Sequence, residues 1–181
     1  MRLKSPLISA RLILDNLDAT ALPPQYLAWI NDREITRYME IRFHTQTAGE
    51  LTDFVANMNE SGDNLLLGIF LKQDRRYIGN VKLGPIIAPH RRADMGLFIG
   101  DDALWGKGYA TEAIELLTAH ALGPLGLHRV TAGMYTGNVG SYRAFLRAGY
   151  TEDGRLREYW LSDGHWQDEI VLCKLAGATR E

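Results

Sequence analysis

The sequence predicts an α/β fold, a mixed sheet with helices on its faces. Three observations support this class. The segment 93–135 has the pattern of a strand, a helix and a second strand. Two strand patterns joined by a polar turn precede it at 65–83, and another such pair follows at 150–175. Helical patterns occupy much of the remaining chain, so strands and helices succeed each other as expected of a layered sheet-and-helix domain.

The first half of the chain is predicted to hold one strand, three helices and a hairpin. Residues 11–14 form an apolar run that predicts the first strand, and the prolines at 23 and 24 open a helix after it. A short helix over 33–39 follows. Thr47, with Glu50 three residues later, predicts a capping box at the start of a third helix. The strands of the hairpin are predicted at 65–71 and 77–83.

The second half is predicted to add two helices and four strands. The helix over 109–122 carries an apolar stripe that is predicted to pack against the sheet, and its members are Ala110, Ala113, Ile114, Leu117 and Ala121. Asn138 is predicted to cap a shorter helix that ends at Gly149. The strands are predicted at 93–100, 128–135, 150–161 and 166–175.

The composition of the chain argues against several classes of protein. With 181 residues, 46% of them hydrophobic and 23% charged, it is predicted to form one domain over 1–181. A formal charge of −2 argues against nucleic-acid binding, and no apolar run approaches the length of a membrane span. The single cysteine, Cys173, and the lack of a signal-peptide pattern predict a cytoplasmic protein. No spacing of His and Cys indicates a metal site.

The glycines at 106 and 108 indicate a phosphate-binding turn. They leave backbone N–H groups uncovered directly before a helix, whose N-terminus carries partial positive charge and can bind phosphate oxygens. A Walker A loop does not fit, because five residues separate Gly100 from Gly106 where four are required. A dinucleotide fingerprint does not fit either, because Thr111 stands at the position of its third glycine.

The same stretch resembles the acyl-CoA-binding motif of the GNAT superfamily of N-acyltransferases, [QR]-x-x-G-x-[GA]. It spans Trp105 to Ala110 here, with Trp105 in place of Gln or Arg. The wording W-G-K-G-Y-A-T-E is typical of the RimJ/RimL-type branch. A second pattern, N-x-x-S-x-x-x-F-x-x-x-G-Y from Asn138 to Tyr150, also resembles that superfamily. The resemblance covers residues 77–175 well and 8–60 more loosely.

This resemblance implies a strongly twisted sheet of about seven strands that splits between the fourth and fifth strands. It also implies acetyl-CoA as co-substrate, with the loop holding the phosphates and the fourth strand holding the pantetheine arm. Either a monomer or a homodimer is compatible with it. The residues expected to contact acetyl-CoA are Phe98, Ile99, Gly100, Trp105, Gly106, Lys107, Gly108, Tyr109, Ala110, Thr111, Asn138 and Arg143.

The chemistry requires an acid and a base, because the attacking amine loses a proton and the leaving thiolate gains one. Many members of the superfamily use a Tyr as the acid, but the matching residue here is Phe145, which has no hydroxyl. The RimJ/RimL branch instead offers Ser141, whose hydroxyl could hydrogen-bond the thiolate. Candidate bases are Asp94, at the start of the fourth strand, and Glu158, in the closing hairpin.

The acceptor amine is expected between the early helices and the closing hairpin. Glu40 could hold a cationic amine there, and Arg37 or Arg42 could hold a phosphate. A protein N-terminal amine is one candidate acceptor, and a nucleotide-linked amino sugar or another small amine is the alternative. A non-enzymatic alternative is an acyl-CoA-binding module without turnover, which Phe145 favours and Ser141 does not.

Overall fold

The computed structural model describes residues 1–177, in which eight strands form one sheet. Their bounds are β1 (Leu7–Ile8), β2 (Leu12–Asn16), β3 (Leu65–Leu71), β4 (Tyr77–Ile87), β5 (Arg92–Ile99), β6 (Arg129–Tyr135), β7 (Thr151–Ser162) and β8 (His165–Leu175). The spatial order is β1-β2-β3-β4-β5-β6-β8-β7. Only β5 and β6 pair in parallel among these described strands, so the sheet is mixed, as predicted.

Five α-helices connect these strands within the described residues. They are α1 (Pro24–Ile30), α2 (Arg33–Thr36), α3 (Ala48–Glu60), α4 (Tyr109–Leu122) and α5 (Val139–Arg147). Short 3₁₀ turns lie at Glu40–Phe43, Ala88–His90 and Asp102–Leu104. Among residues 1–177, no helix combines the length and the apolar character that crossing a membrane requires.

Two predicted boundaries differ from the structure. The second helix ends at Thr36, not at residue 39, because Met39 takes extended backbone angles (φ −122°, ψ 139°) and a separate 3₁₀ turn starts after it. The third strand of the predicted order, β4, continues to Ile87 past a register shift that follows Leu83. The extra strand β1 has two residues, too few to show an alternating pattern in the sequence.

The sheet opens between β5 and β6. Their register has three pairs, from Arg92 opposite Arg129 to Asp94 opposite Thr131, and it ends there. From that point β5 stays paired with β4, and β6 stays paired with β8 along its whole length. In the predicted numbering these are the fourth and fifth strands, so the expected split is confirmed.

Buried side chains form two clusters, one on each face of the sheet. The larger cluster joins the sheet to α4 and α5, and it includes Ile114 and Leu117, both fully buried. The smaller cluster lies under α1 and α3 and includes Tyr26, Val55 and Tyr77. Because neighbouring residues of a strand point to opposite faces, β5 contributes Met95 and Ile99 to the first cluster and Phe98 to the margin of the second.

Short sequence patterns correctly predicted where α3 starts and which side of α4 packs against the sheet. The Thr47 hydroxyl accepts from the N–H of Glu50, and the Glu50 carboxylate accepts from the N–H of Thr47, which is the predicted capping box. In α4 the predicted stripe residues Ala113, Ile114, Leu117 and Ala121 are fully buried. The helix therefore lies on the sheet in the orientation that its periodicity requires.

Truncation of a stripe residue tests this packing. Leu117→Ala should lower the free energy of unfolding by about 2–5 kcal/mol, since it removes buried methyl groups and leaves a cavity. Glu115→Ala, on the exposed side of the same helix, should change it by less than about 0.5 kcal/mol. Urea denaturation monitored by circular dichroism measures both. Equal effects of the two substitutions would contradict the packing.

Candidate active site

A cavity of about 880 Å³ lies where β5 and β6 separate. The loop before α4 and the first turns of α5 form one wall. Helices α1 and α2, with the 3₁₀ turn after them, form the opposite wall. The edges of the two strands lie between these walls and contribute Met95–Ile99 and Gly133–Tyr135. The cavity therefore connects the two faces of the sheet through the opening.

The loop before α4 presents a row of free backbone donors. Gly106 (φ 73°) and Gly108 (φ 82°) take left-handed backbone angles that glycine adopts without strain. No side chain caps α4, and within residues 1–177 the N–H groups of residues 106–111 donate to no protein acceptor. The predicted loop residues Trp105, Gly106 and Gly108–Thr111 line the cavity. Free N–H groups and the helix dipole together provide a site for phosphate oxygens.

Arg11, from the start of the chain, fixes this loop in place. Its Nε donates to Glu112 Oε2 at 2.6 Å, and its Nη1 donates to the carbonyl oxygen of Lys107 at 3.0 Å. Its guanidinium carbon lies 4.4 Å from the centre of the Tyr109 ring. Burial acts to raise the pKa of Glu112, but hydrogen bonds from the N–H of Arg11, the Ser9 hydroxyl and the Arg11 side chain outweigh it and lower that pKa. The charged carboxylate thus anchors the first turn of α4 to β2.

The free edge of β5 is formed by Leu97 and Ile99. The N–H of Gly100 donates to the carbonyl oxygen of Ile78 at 2.9 Å, toward β4. Peptide groups alternate between the two edges of a strand, so those of Phe98 also face β4, and those of Leu97 and Ile99 face the opening. This corrects the expectation that Phe98 and Gly100 pair with a ligand arm. Only Ile99 of the three predicted residues presents its main chain there, and Leu97 joins it.

The Trp105 side chain lies at the end of the free edge of β5, against Ile99. Its indole Nε1 donates to the carbonyl oxygen of Ile99 at 2.8 Å. The side chain remains 38% exposed and lies 5.6 Å, ring centre to guanidinium carbon, from Arg37 on the opposite wall. The residue that departs from the family motif therefore takes up one strand carbonyl and leaves the N–H groups of the edge free.

The start of α5 brings Asn138 and Ser141 to the cavity. Asn138 Oδ1 accepts from the N–H of Ser141 at 3.2 Å, which is the predicted helix cap. The Ser141 hydroxyl makes no hydrogen bond within residues 1–177 and lines the cavity. Phe145 is 2% exposed and meets the Tyr150 ring edge-on, with ring centres 5.0 Å apart. The Tyr150 hydroxyl bonds Thr118 in the core at 2.7 Å, so it does not replace the missing phenol.

Of the two basic residues predicted to contact the phosphates, Arg143 lines the cavity and Lys107 does not. Arg143 lines the cavity, and so does Arg147, one turn further along α5, which sequence reasoning missed. Neither forms an ion pair within the described part of the chain. Lys107 is exposed and does not line the cavity, because its backbone is turned toward Arg11. Arg143 and Arg147 therefore supply positive charge on the α5 side.

Neither predicted base lies in the cavity wall. Asp94 is exposed and stands at the last parallel pair, opposite Thr131. Glu158 is exposed in β7 with a left-handed backbone (φ 50°), and its N–H donates to Asp168 Oδ1 at 2.9 Å. The cavity-lining residues include neither of these carboxylates.

The acceptor wall is tied to β6 by a polar cluster. The Tyr135 hydroxyl donates to Glu40 Oε1 and accepts from Arg42 at 2.9 Å. Arg42 also lies 3.4 Å from Glu40 Oε1, and Arg37 pairs with Glu34. Burial first, and then the hydrogen bond to Glu40, raise the pKa of the Tyr135 phenol. Of the three predicted acceptor residues, Arg37 and Glu40 line the cavity, and Arg42 does not line it but pairs with Glu40.

Aromatic side chains complete this wall. Trp160 stacks on Tyr135 with ring centres 4.9 Å apart, and Tyr38 lies at 5.7 Å from Tyr135 on another side. The Tyr38 hydroxyl donates to the carbonyl oxygen of Gly137 at 2.8 Å, which links the early helices to the loop before α5. These residues were missed because their partners lie on other elements of the fold, in the case of Tyr38 more than 90 residues away in the sequence. No cluster of three or more His, Cys, Asp or Glu within residues 1–177 could hold a metal ion.

A divided sheet beside a helix N-terminus with free N–H groups is an arrangement that can bind a phosphate-bearing ligand in the opening. The family model described as an acetyltransferase (GNAT) domain matches residues 11–151, most of the chain. The chain therefore belongs to the GNAT acetyltransferase family. This confirms the predicted family, the acetyltransferase class of enzyme and acetyl-CoA as the co-substrate.

Relatives of known name agree with this assignment. The probable N-acetyltransferase YjcK of Bacillus subtilis is 40% identical over 119 residues, which cover 64% of this chain and 64% of YjcK. The match thus spans less than two thirds of that relative. The [ribosomal protein uS5]-alanine N-acetyltransferase of Escherichia coli is 24% identical over 121 residues, 66% of this chain and 61% of that protein. This relative supports the RimJ/RimL-like branch.

A solved structure supports the fold over the whole chain. RimL, the ribosomal L7/L12 α-N-protein acetyltransferase in complex with coenzyme A, superposes with a TM-score of 0.85. The alignment covers 97% of this chain and 100% of RimL at 15% identity. At that identity the agreement concerns the fold alone.

A matched pair of substitutions at Gly108 tests the phosphate site. Gly108→Asn and Gly108→Asp add side chains of the same shape at the same left-handed backbone position, so both carry the same strain. Only Asp adds negative charge beside the free N–H groups, and it should weaken acetyl-CoA binding relative to Asn by at least about tenfold, or ~1.4 kcal/mol. Isothermal titration calorimetry on both folded variants measures this. Equal affinities would contradict phosphate binding by this loop.

Proposed function

We propose that this protein transfers the acetyl group of acetyl-CoA to a primary amine by direct attack, with both substrates bound at the same time. The observation that supports this most strongly is the cavity shared by the two faces of the sheet. The free N–H groups before α4 lie at one wall, and Glu40, Tyr135 and Trp160 lie at the other. An amine that entered from the second wall would meet the thioester at the opening between β5 and β6.

The coenzyme A side of the proposal follows from the donors available there. The N–H groups of residues 106–111 hold the pyrophosphate, and the N–H groups of Leu97 and Ile99 bond the pantetheine amides. Asn138 Oδ1 is already bound to Ser141, so its amide nitrogen is the part free to donate to the arm. Arg143 and Arg147 neutralise the remaining phosphate.

Ser141 assists the leaving thiolate in this proposal. Its hydroxyl lies in the wall without a protein partner, one helical turn before Phe145. Phe145 cannot donate a proton, so the serine hydroxyl is the donor that α5 offers at this position. Hydrogen bonding to a developing charge lowers the barrier because the bond is stronger in the transition state than in the ground state.

We favour the N-terminal amine of a protein as the acceptor. Large apolar side chains remain exposed on the 3₁₀ turn and the hairpin that border the acceptor wall, among them Phe43 (60%), Leu161 (50%) and Trp166 (60%). Exposed aromatic residues beside a cavity favour contact with the residues that follow a protein's N-terminus. A small amine is the second candidate, which the carboxylates of Glu34 and Glu40 in the wall favour. A nucleotide-linked amino sugar would instead use Arg37 or Arg42, which already pair with those carboxylates.

Release of free coenzyme A thiol tests the proposal. The protein is incubated with acetyl-CoA and a panel of amines that contains an alanine-initiated peptide, a serine-initiated peptide, spermidine and an amino sugar nucleotide. Thiol release with a peptide, and an N-terminal acetyl group found by mass spectrometry, would support the preferred acceptor. Release with spermidine or the sugar alone would replace it. Acetyl-CoA binding without thiol release with any amine would support the non-enzymatic alternative.

Ser141→Ala tests the role of the hydroxyl. Loss of a bond made mainly in the transition state should lower kcat by about tenfold to a hundredfold, ~1.4–2.7 kcal/mol in activation free energy, and leave the Kd of acetyl-CoA unchanged. Tyr142→Phe removes the neighbouring hydroxyl, which bonds Glu152 at 3.1 Å outside the cavity, and should leave kcat unchanged. Steady-state kinetics with calorimetry of acetyl-CoA binding separates the two effects. A normal kcat in Ser141→Ala would leave the residue with only a role in the first turn of α5.

Glu40→Gln tests acceptor binding. The carboxylate is half exposed and already shared with Tyr135 and Arg42, so its loss should raise the acceptor KM by about twofold to fivefold, as for a pair worth ~0.5–1 kcal/mol. Acetyl-CoA affinity and the shape of the kcat pH profile should not change, because Glu40 orients the acceptor and is not the base. Glu115→Gln removes an equal charge on the outer side of α4 as a control. Loss of the acidic limb in Glu40→Gln would make Glu40 the base instead.

A further inference from the structure

Glu169 is a half-buried carboxylate one strand away from the opening of the sheet, and it has no partner among residues 1–177. It lies in β8 opposite Tyr135 of β6. Within residues 1–177 it makes no hydrogen bond and no ion pair. A charged group removed from water without compensation is costly, and such groups cluster at functional sites. No motif in the sequence indicates this residue.

The carboxylate of Glu169 leans over Gly133 of the neighbouring strand β6. A Cβ built on Gly133 would meet Glu169 Oε1 at a separation of 2.4 Å. Gly133 lies in β6 between Glu169 and β5, and it lines the cavity. The carboxylate therefore leans across β6 and fills the place that a side chain at position 133 would occupy, beside the edge where β5 and β6 separate.

None of the surrounding cations forms an ion pair with it within residues 1–177. The charged and titratable groups of this sheet face, and of the segment that covers it, are Asp94, Lys82, Arg129, Tyr135, Asp153, Cys173, Glu34, Arg37, Glu40 and Arg42. Arg129 pairs with Asp153 at 2.5 Å, Arg42 with Glu40, and Arg37 with Glu34. Burial first, and then the neighbouring charge of Asp94, raise the pKa of Glu169. A carboxylate with a raised pKa is a stronger base than an exposed one.

Taking the proposed acetyl transfer as its premise, we propose that Glu169 accepts the proton that the acceptor ammonium must lose, directly or through one water molecule. It takes this role in place of Asp94 and Glu158, both of which are exposed, whereas Glu169 is half-buried. Glycine at position 133 is the second part of the arrangement, because it leaves the space through which the carboxylate reaches the opening.

The proton balance of the step is complete with the groups named. The acceptor enters as R–NH₃⁺, and the Glu169 carboxylate takes one proton to become a carboxylic acid. The lone pair of the resulting amine forms the C–N bond to the acetyl carbonyl carbon, and the C–S bond breaks with its electron pair on sulfur. The second N–H proton passes to that sulfur. The products are the acetamide, the free thiol and protonated Glu169, which returns its proton to water.

Two substitutions test this role from different sides. Glu169→Gln removes the base and should lower kcat/KM by about 10²-fold to 10⁴-fold at neutral pH, with loss of the acidic limb of the pH profile, because the rate no longer depends on a carboxylate being deprotonated. Gly133→Ala keeps the carboxylate but displaces it, since the clashing atom is the far end of a flexible side chain. Both variants lose the same group, so their effects should not add in the double variant.

Removal of the neighbouring charge of Asp94 gives a third prediction, in which the acidic limb of the pH profile moves and is not lost. Asp94→Asn should keep the acidic limb and move it to lower pH, because the charge of Asp94 raises the pKa of Glu169. Glu158→Gln should leave the limb where it is. Loss of the limb in either variant would overturn the proposal and assign the base to that residue.

The experiment measures kcat/KM between pH 5 and 9 with acetyl-CoA and two acceptors of different amine pKa, an alanine-initiated peptide and spermidine. A limb that stays in place when the acceptor is exchanged belongs to the protein. Carbon-13 NMR titration of the Glu169 carboxyl provides a readout without turnover, with a midpoint above the ordinary value of about 4.3 and a lower one in Asp94→Asn. An ordinary midpoint, or an unchanged profile in Glu169→Gln, would overturn the proposal. Absence of thiol release from the wild type with every panel amine would instead count against the proposed function.

Discussion

The separation of β5 from β6 after three residue pairs is the constraint on which the site depends. If the parallel pairing continued, β6 would consume the N–H groups of Leu97 and Ile99, and the two faces of the sheet would not communicate. Each strand tolerates the opening because its other edge is paired, β5 with β4 on both sides of a register shift and β6 with β8 along its whole length. The unpaired edges need polar partners in the opening, either water or a ligand, since buried peptide groups without partners are costly. The cavity is therefore a consequence of the sheet topology.

Features that depend on neighbours in the sequence could be predicted from it. The capping box of α3 and the stripe of α4 lie within single elements, and the structure has both. The two glycines before α4 could be interpreted for the same reason, because their backbone angles are a local requirement. The opening of the sheet followed from a family resemblance, since no local pattern states where two distant strands stop pairing.

Features that join distant parts of the chain could not be predicted. Arg11 meets Glu112 across 101 residues, and Tyr135 meets Glu40 across 95. Which peptide groups of β5 face the opening depends on the register of β5 with β4. An error of one residue in that register assigns the free edge to Phe98 when it belongs to Leu97. The same holds for Glu169, whose direction is set by a glycine on the neighbouring strand. The roles of such residues can be recognised only once the pairing of the strands is known.

The left-handed backbone of Glu158 in β7 has a consequence for association between copies of this protein. β7 is one of the two outer strands of the described sheet, twelve residues long and exposed along most of its length. An edge of that kind can pair with the edge of another chain and begin an aggregate. The left-handed residue interrupts the ladder between Leu156 and Trp160, and its N–H is taken by Asp168. The run of backbone groups that β7 offers to a foreign strand is thus broken in the middle, which makes edge-to-edge pairing less favourable.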